Sequence, residues 1–156
     1  MLAVYDTYIV VKFFHVLLAI VAVGINTSYG IWVSRAAKAP EHEVHVLQGV
    51  KFLDDRIANP GYGLLLLTGL WMVRLGHYKL FDTFWLETAL GIYIVTALTA
   101  ALVYTPTLKK QIALLEAGQR GTPEYERVAK RATLVGALLG VFVIGIVFLM
   151  VTKPTI

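Results

Sequence analysis

The sequence lacks cysteine altogether and is poor in charge. Without a thiol, the chain cannot hold an iron–sulfur cluster, attach haem covalently, perform thiol catalysis or form a disulfide. It also contains no Walker loop, dinucleotide fingerprint, paired-histidine zinc motif or nucleophile elbow. Only 15% of its 156 residues are charged, against roughly 25% in soluble domains. These absences argue against a soluble globular enzyme.

What the chain has instead is apolar residues. They make up 58% of the sequence, and the mean hydropathy is +0.71, which is typical of a polytopic membrane protein. The formal net charge is +4. In a membrane protein such an excess usually marks cytoplasmic loops. We therefore expect the lipid bilayer as a partner and no nucleic acid.

Four apolar runs predict membrane-spanning helices, because a helix needs about 20 residues to cross ~30 Å of hydrocarbon. The second run is the shortest and qualifies only if Arg74 snorkels to the surface. Together the runs predict an all-α fold, in which residues 1–156 form one domain. Its expected architecture is an up-down bundle of four transmembrane helices. The predicted spans are residues 8–33, 58–76, 84–104 and 133–152.

Basic residues set the predicted orientation. Connectors 34–59 and 105–132 together carry ten lysines and arginines, whereas the segment between the second and third spans carries only Arg74 and Lys79. Since positive loops stay inside, both connectors are predicted to be cytoplasmic and both termini outside, in a bacterial-type plasma (inner) membrane. No lysine or arginine occurs in the first eleven residues, so the first run is expected to remain as an anchor.

Helical periodicity continues into both connectors. Residues 41–57 place Val44, Leu47, Val50, Leu53 and Ile57 at helical spacing. Apolar residues of the second connector likewise extend the third helix past its proline. We therefore predict helical extensions on the cytoplasmic side. The tripeptide at 59–61, Asn-Pro-Gly, is expected to break the chain before the second span.

One face of the first span combines small and polar residues. Their spacing of three or four residues puts them on one side of a helix, which should face the bundle interior. A buried histidine there can bind haem iron or copper, with Met72 and Met150 as candidate second ligands at similar depth in the outer half. Alternatively, His15 simply hydrogen-bonds Glu87 or a backbone carbonyl. The face comprises Lys12, His15, Ala19, Ala22, Asn26 and Tyr29.

Ionisable side chains at membrane depth form a second candidate site. Charges in the bilayer are costly and are usually paired or functional. The predicted topology puts Lys12, Arg74 and Glu87 in the outer layer, with Asn26 toward the inside. We predict that these four form an interhelical polar cluster, in which Glu87 pairs with a basic neighbour or serves a proton path or ligand.

Two short segments carry a family resemblance. The opening K-F-F-H-V-L (residues 12–17) and the closing F-L-M-V-T-K-P (residues 148–154) resemble the start and the end of a family of four-span membrane proteins. That family is known as domain of unknown function 2269. The resemblance covers nearly the whole chain and implies the same four-span fold.

The family is distantly similar to the bacterial membrane protoporphyrinogen oxidase, which binds haem b, and to the copper-resistance D membrane domain. His15 stands where the oxidase has its first-span histidine, and Pro60 with T-G-L at 68–70 resembles its second-span pattern. Its third-span pattern, W-L-x-x-K-L, reads W-L-E-T-A-L at 85–90, with Ala89 replacing the lysine. This departure argues against the oxidase activity in this chain. The resemblance still implies haem or metal binding through His15.

Three functional hypotheses follow. The first is a redox-linked membrane protein that binds haem b, or copper, in the outer half of the bundle. The second is an accessory or assembly subunit without a cofactor, packed in a homo-oligomer or a larger membrane complex. The third is a small proton-coupled transporter that uses Glu87 and Lys12. Whether the protein is an enzyme stays open at this stage.

Overall fold

The computed structural model describes residues 2–154, with side chains from 5 to 154. Met1, Thr155 and Ile156, which the predicted domain includes, lie outside the described residues. Within residues 2–154 the regular elements are helical, without a strand, so the predicted all-α class is confirmed. The helices are α1 (Leu2–Ala36), α2 (Glu43–Leu53), α3 (Asn59–Leu75), α4 (Phe84–Thr99), α5 (Thr105–Glu116) and α6 (Pro123–Thr152).

Three helical stretches in the described part of the chain are long and apolar enough to cross a membrane. They are Tyr5–Ala36, Phe84–Glu116 and Pro123–Thr152. The remaining predicted span, the second, corresponds to α3, which has 17 residues and carries Arg74 in its last turn. It is shorter than the roughly 20 residues that a span needs. Three predicted spans are therefore supported, and the second stays a prediction.

Both connectors are helical, and each is joined to its neighbouring helix through a proline. One turn of π-helix at Asp54–Ala58 links α2 to α3, and another at Ala100–Tyr104 links α4 to α5. Pro60 and Pro106 each lie in the first turn of the following helix. A proline lacks an N–H, so it removes one helical hydrogen bond, and a wider turn just ahead accommodates the loss. The predicted break at residues 59–61 is therefore wrong.

Close approaches at two glycines fix two of the helix contacts. A Cβ atom added to Gly61 of α3 would lie 3.5 Å from the Ala22 Cβ of α1. One added to Gly136 of α6 would lie 3.3 Å from a ring carbon of Tyr104. Ala22 and Tyr29 are buried, so the small and polar face of α1 does point into the molecule.

The best-packed region lies where the connectors are. We call this the connector end, formed by residues 36–58 and 105–131 together with the last turns of α1. Leu47 of α2 and Leu108 of α5 are each only 1% exposed there. The buried cluster at this end consists of Tyr29, Leu47, Val50, Leu108, Leu115 and Tyr125.

The opposite end, which we call the loop end, is formed by residues 76–83 and the last turn of α6. Tyr78 and Trp85 meet edge to face with ring centroids 5.9 Å apart. Lys153 ends α6 in a left-handed conformation, with φ of 45°. Its ammonium group lies 5.3 Å from the Trp85 ring centroid and 5.9 Å from that of Tyr78, a cation–π arrangement. These contacts hold the end of α6 against the loop.

Candidate functional site

His15 lies at the interface of α1 and α3 and is half-buried. Its Nδ1 is 2.8 Å from the Thr68 hydroxyl. The Thr68 hydroxyl also lies 2.7 Å from the Leu64 carbonyl. When its one proton is donated to that carbonyl, it accepts from His15 Nδ1–H, which corresponds to the tautomer with the proton on Nδ1. Its Nε2 atom keeps a lone pair, as a metal ligand requires.

The neighbouring residue on α3 makes room for the imidazole. A Cβ atom added to Gly69 would lie 3.3 Å from His15 Cε1, which is a tight contact. Beside Thr68 runs an apolar groove between α1 and α3, with a volume of about 440 Å³. The groove is lined by Val11, Phe14, Leu17, Leu18, Val21, Leu64, Thr68 and Trp71. Thr68 lines the groove and also contacts the imidazole, whereas His15 itself is not among the lining residues.

The two methionines proposed as further ligands are both half-buried. Met72 lies one turn beyond Thr68 on α3, and Met150 lies in the last turn of α6. Both are thus near the loop end. Residues 5–154 contain no group of three histidine or carboxylate side chains arranged to hold a metal ion. This side of the molecule offers two thioethers and two imidazoles, of which His15 is half-buried and His77 is exposed in the loop.

The predicted interhelical polar cluster is not assembled. Lys12, Arg74 and Glu87 are all exposed, and no ion pair within residues 5–154 involves any of the three. Val11, which is 6% exposed, takes the interior position one turn ahead of His15 instead of Lys12. His15 instead contacts the Thr68 hydroxyl, as described above, and the Leu65 backbone. The expected hydrogen bond to Glu87 is therefore not the one that forms.

Asn26 is the member of that set with an interhelical contact. Its Nδ2 donates to the Tyr62 hydroxyl at 2.8 Å. Tyr93 of α4 in turn donates from its hydroxyl to the Tyr62 carbonyl at 2.9 Å. These bonds connect α1, α3 and α4 at mid-height, and they satisfy polar groups that lipid could not.

Sequence reasoning missed a buried polar group within the connector end. Asp54 is buried and accepts a hydrogen bond from Asn59 Nδ2 at 3.3 Å. Burial, and then the nearby Asp55 carboxylate, raise the pKa of Asp54. The Tyr29 hydroxyl, also buried, makes no hydrogen bond within the described part of the chain. The spacing of Leu47, Val50 and Asp54 on one helix face is the signal that could have located this carboxylate.

Another polar contact links the two connectors to one another. The buried Glu43 carboxylate accepts hydrogen bonds from the Tyr125 hydroxyl and from Arg120 Nε, the latter at 2.6 Å. Arg120 also donates to the Ala37 carbonyl at 3.1 Å. The hydrogen bond to Glu43 raises the pKa of Arg120. The Glu43–Arg120 pair thereby ties together the segment after α1, the start of α2 and the loop before α6.

These features define the class of the protein. Long helices with outward-facing apolar side chains, of which three within residues 5–154 can cross a bilayer, make it an integral membrane protein. The chain belongs to the family described as "predicted integral membrane protein (DUF2269)", which matches residues 9–154. The predicted membership is thereby confirmed. Searches among curated proteins and among solved structures find no match.

Proposed function

We propose that the protein is a redox-linked membrane protein that binds haem b through His15, with a copper ion as the alternative. The observation that carries the proposal is the His15–Thr68 hydrogen bond of 2.8 Å. An imidazole that donates from Nδ1 keeps Nε2 free as a ligand, and such an orienting bond accompanies most metal-binding histidines. When bound, haem b supplies one-electron transfer.

The donor set favours haem over copper. A haem iron would take one histidine ligand from this chain, and the apolar lining of the groove beside Thr68, about 440 Å³ in volume, would suit the apolar macrocycle. Copper sites use several protein ligands, whereas His15 is not part of a histidine or carboxylate group of three within residues 5–154. A copper ion would therefore depend on the thioethers of Met72 and Met150. The same methionines are the candidate second axial ligands for haem.

The roles of this chain's residues follow from their positions. His15 would bind the iron, Thr68 would hold the imidazole in the correct tautomer, and Gly69 would leave space for the ring. The apolar side chains of the groove, such as Phe14 and Leu64, would exclude water. By excluding water and supplying a neutral nitrogen ligand, these residues would set the reduction potential of the haem iron.

The test is an absorption spectrum of the detergent-purified protein, as isolated and after reduction with dithionite, with copper measured on the same sample. We expect a Soret band that shifts on reduction, and its loss in His15→Ala. His45→Ala is the matched control, because His45 is exposed on α2. A colourless, copper-free protein that also fails to take up added haemin would overturn the proposal.

A second candidate function is that of an accessory or assembly subunit, or of one copy in a homo-oligomer. Glu87 and Gly91, one turn apart on α4, are both exposed, and a Cβ added to Gly91 would meet no atom within 4 Å. A carboxylate on a lipid-facing surface is costly, and a neighbouring glycine permits close approach of another helix. If the native protein migrates alone, at 17.2 kDa plus the micelle, this candidate is excluded.

We propose a four-span, up-down arrangement for either function, in a bacterial-type plasma membrane. Residues 34–59 and 105–132 would lie in the cytoplasm and both termini outside, because the basic residues are concentrated in those two segments. The absence of native cysteine makes the test direct. A single cysteine at Lys38 should be protected from an impermeant thiol reagent in intact cells, and one at Lys79 should react. The reverse result would invert the topology.

A further inference from the structure

A basic cleft lies between α5 and the beginning of α6. Its lining consists of Lys110, Glu124, Arg127, Val128 and Arg131, and its volume is about 250 Å³. Arg131 precedes the uncharged stretch 133–152 of α6 by two residues. The cleft therefore lies at the boundary between the charged and the apolar parts of that helix.

The charges in the cleft are not balanced. Glu124 is paired with Lys110, with 2.7 Å between the carboxylate oxygen and the ammonium nitrogen. Arg127 donates from Nε to the Pro123 carbonyl at 3.1 Å. No ion pair within residues 5–154 includes Arg127 or Arg131. Both guanidinium groups thus keep donors available for an anion.

An apolar stripe continues from these arginines along the same face of α6. The residues follow one another at steps of four, three, four and three, which is one face of a helix. The first two are charged and the rest are exposed aliphatic side chains: Leu134 is 61% exposed, Leu138 46% and Val141 65%. The stripe consists of Arg127, Arg131, Leu134, Leu138 and Val141.

We propose that this cleft and stripe form a binding site for one anionic phospholipid. The phosphate would bind between Lys110, Arg127 and Arg131, because guanidinium groups match phosphate oxygens with paired hydrogen bonds. An acyl chain would lie along Leu134, Leu138 and Val141. Charge complementarity identifies the occupant: the three cations and the one carboxylate leave a surplus of two positive charges next to an apolar surface. Basic pockets at membrane boundaries are known to recognise such headgroups.

The test is native mass spectrometry of the detergent-purified protein, titrated with phosphatidylglycerol, with phosphatidylethanolamine or with inorganic phosphate. We expect a saturable adduct of one phosphatidylglycerol. Phosphatidylethanolamine should bind weakly and without saturation. In the double variant Arg127→Gln/Arg131→Gln the affinity should fall by roughly 10- to 30-fold, from about 1 kcal/mol per basic residue. Glu124→Gln should strengthen binding, because it frees Lys110.

The matched control is Lys109→Gln/Lys130→Gln, which removes two exposed lysines that do not line the cleft. Its affinity for phosphatidylglycerol should stay within about threefold of the parent's. That is a smaller change than the roughly tenfold loss that corresponds to 1.4 kcal/mol. Equal losses in both double variants would show only general electrostatic attraction and would overturn the proposed site. Binding of inorganic phosphate as tightly as the lipid would overturn the role of the apolar stripe. Thermal unfolding without lipid verifies that each variant is folded.

Discussion

The connector end and the rest of the helix bundle, which we call the apolar half, are packed by different rules. In each of the three apolar stretches, only 11% of the most hydrophobic 18-residue segment is buried within the protein. At the connector end, by contrast, Leu47 and Leu108 are nearly inaccessible, and they pack with Val50, Leu115 and Tyr125. Water drives apolar side chains together, whereas lipid tails are as apolar as leucine and give no such drive. The less hydrophobic segments therefore hold the core.

Leu47→Ala is expected to give the largest effect and would test this comparison most directly. Truncation of a fully buried leucine removes its packing and leaves a cavity, at about 2–5 kcal/mol. We expect this loss in the free energy of unfolding, measured by denaturant titration in mixed micelles. Leu67→Ala is the control, because Leu67 of α3 is 63% exposed and should change the free energy by less than about 0.5 kcal/mol. Similar losses for both would erase the difference between the two regions.

Glu43→Gln should give the next largest effect. The variant keeps the shape of the side chain but removes the charge that accepts from Tyr125 and from Arg120 Nε. A polar group left imperfectly paired costs about 1–3 kcal/mol. Glu41→Gln, two residues earlier and with a side chain 67% exposed, should change stability by less than about 0.5 kcal/mol. The comparison would fail if the same titration gave equal values for the two variants.

The fold was largely predictable from the sequence because apolar run length and helical spacing are local properties. The interior face of α1 was predicted from the spacing of His15, Ala22 and Tyr29, and the helices of both connectors were predicted from their apolar periodicity. The prediction that Lys12 shares this interior face was wrong. The interior position one turn ahead of His15 goes to Val11, because an apolar side chain can be buried there without a partner for its charge.

The contacts between helices were not predictable in the same way. Span prediction leaves open how each helix is rotated about its axis, so Glu87 was offered as a partner of His15 and the Thr68 hydroxyl was not. The other alternative, a backbone carbonyl, is met by Leu65.

On the face of residues 41–57 that was predicted from apolar spacing, Leu47 and Val50 lie in the core and Leu53 packs against it, whereas Ile57 is exposed. The buried face also includes Glu43 and Asp54 at its two ends, and a hydrophobic pattern does not register charged residues. The polar groups nearest the connector core were missed for this reason.

Asp54→Asn should give a smaller effect, which depends on pH. Burial raises the pKa of Asp54 in the folded protein above the value of about 3.9 that it has when unfolded. The folded state therefore holds the proton to a higher pH than the unfolded chain, and stability is lost as the pH rises through that interval. The variant should be more stable than the parent at pH 7, and the difference should vanish below about pH 3.9.

Denaturant titrations at several pH values would measure this difference, with Asp82→Asn as the control, since the Asp82 side chain at the loop end is 70% exposed. A gain that stays the same at every pH would contradict the assignment of a buried, titrating carboxylate. A gain of equal size in the control would remove the distinction between the two ends.

The smallest effect is expected from a pair of glycines on α6, Gly136 and Gly140, whose spacing favours close helix packing. Alanine in place of a helical glycine gains up to about 1 kcal/mol. Gly140→Ala should show that gain, because its added Cβ meets no atom within 4 Å. Gly136→Ala should not, because its Cβ would lie 3.3 Å from the Tyr104 ring. Unfolding in mixed micelles measures both. Equal gains would mean that Tyr104 yields without penalty and that the apolar half lacks close packing even at this contact.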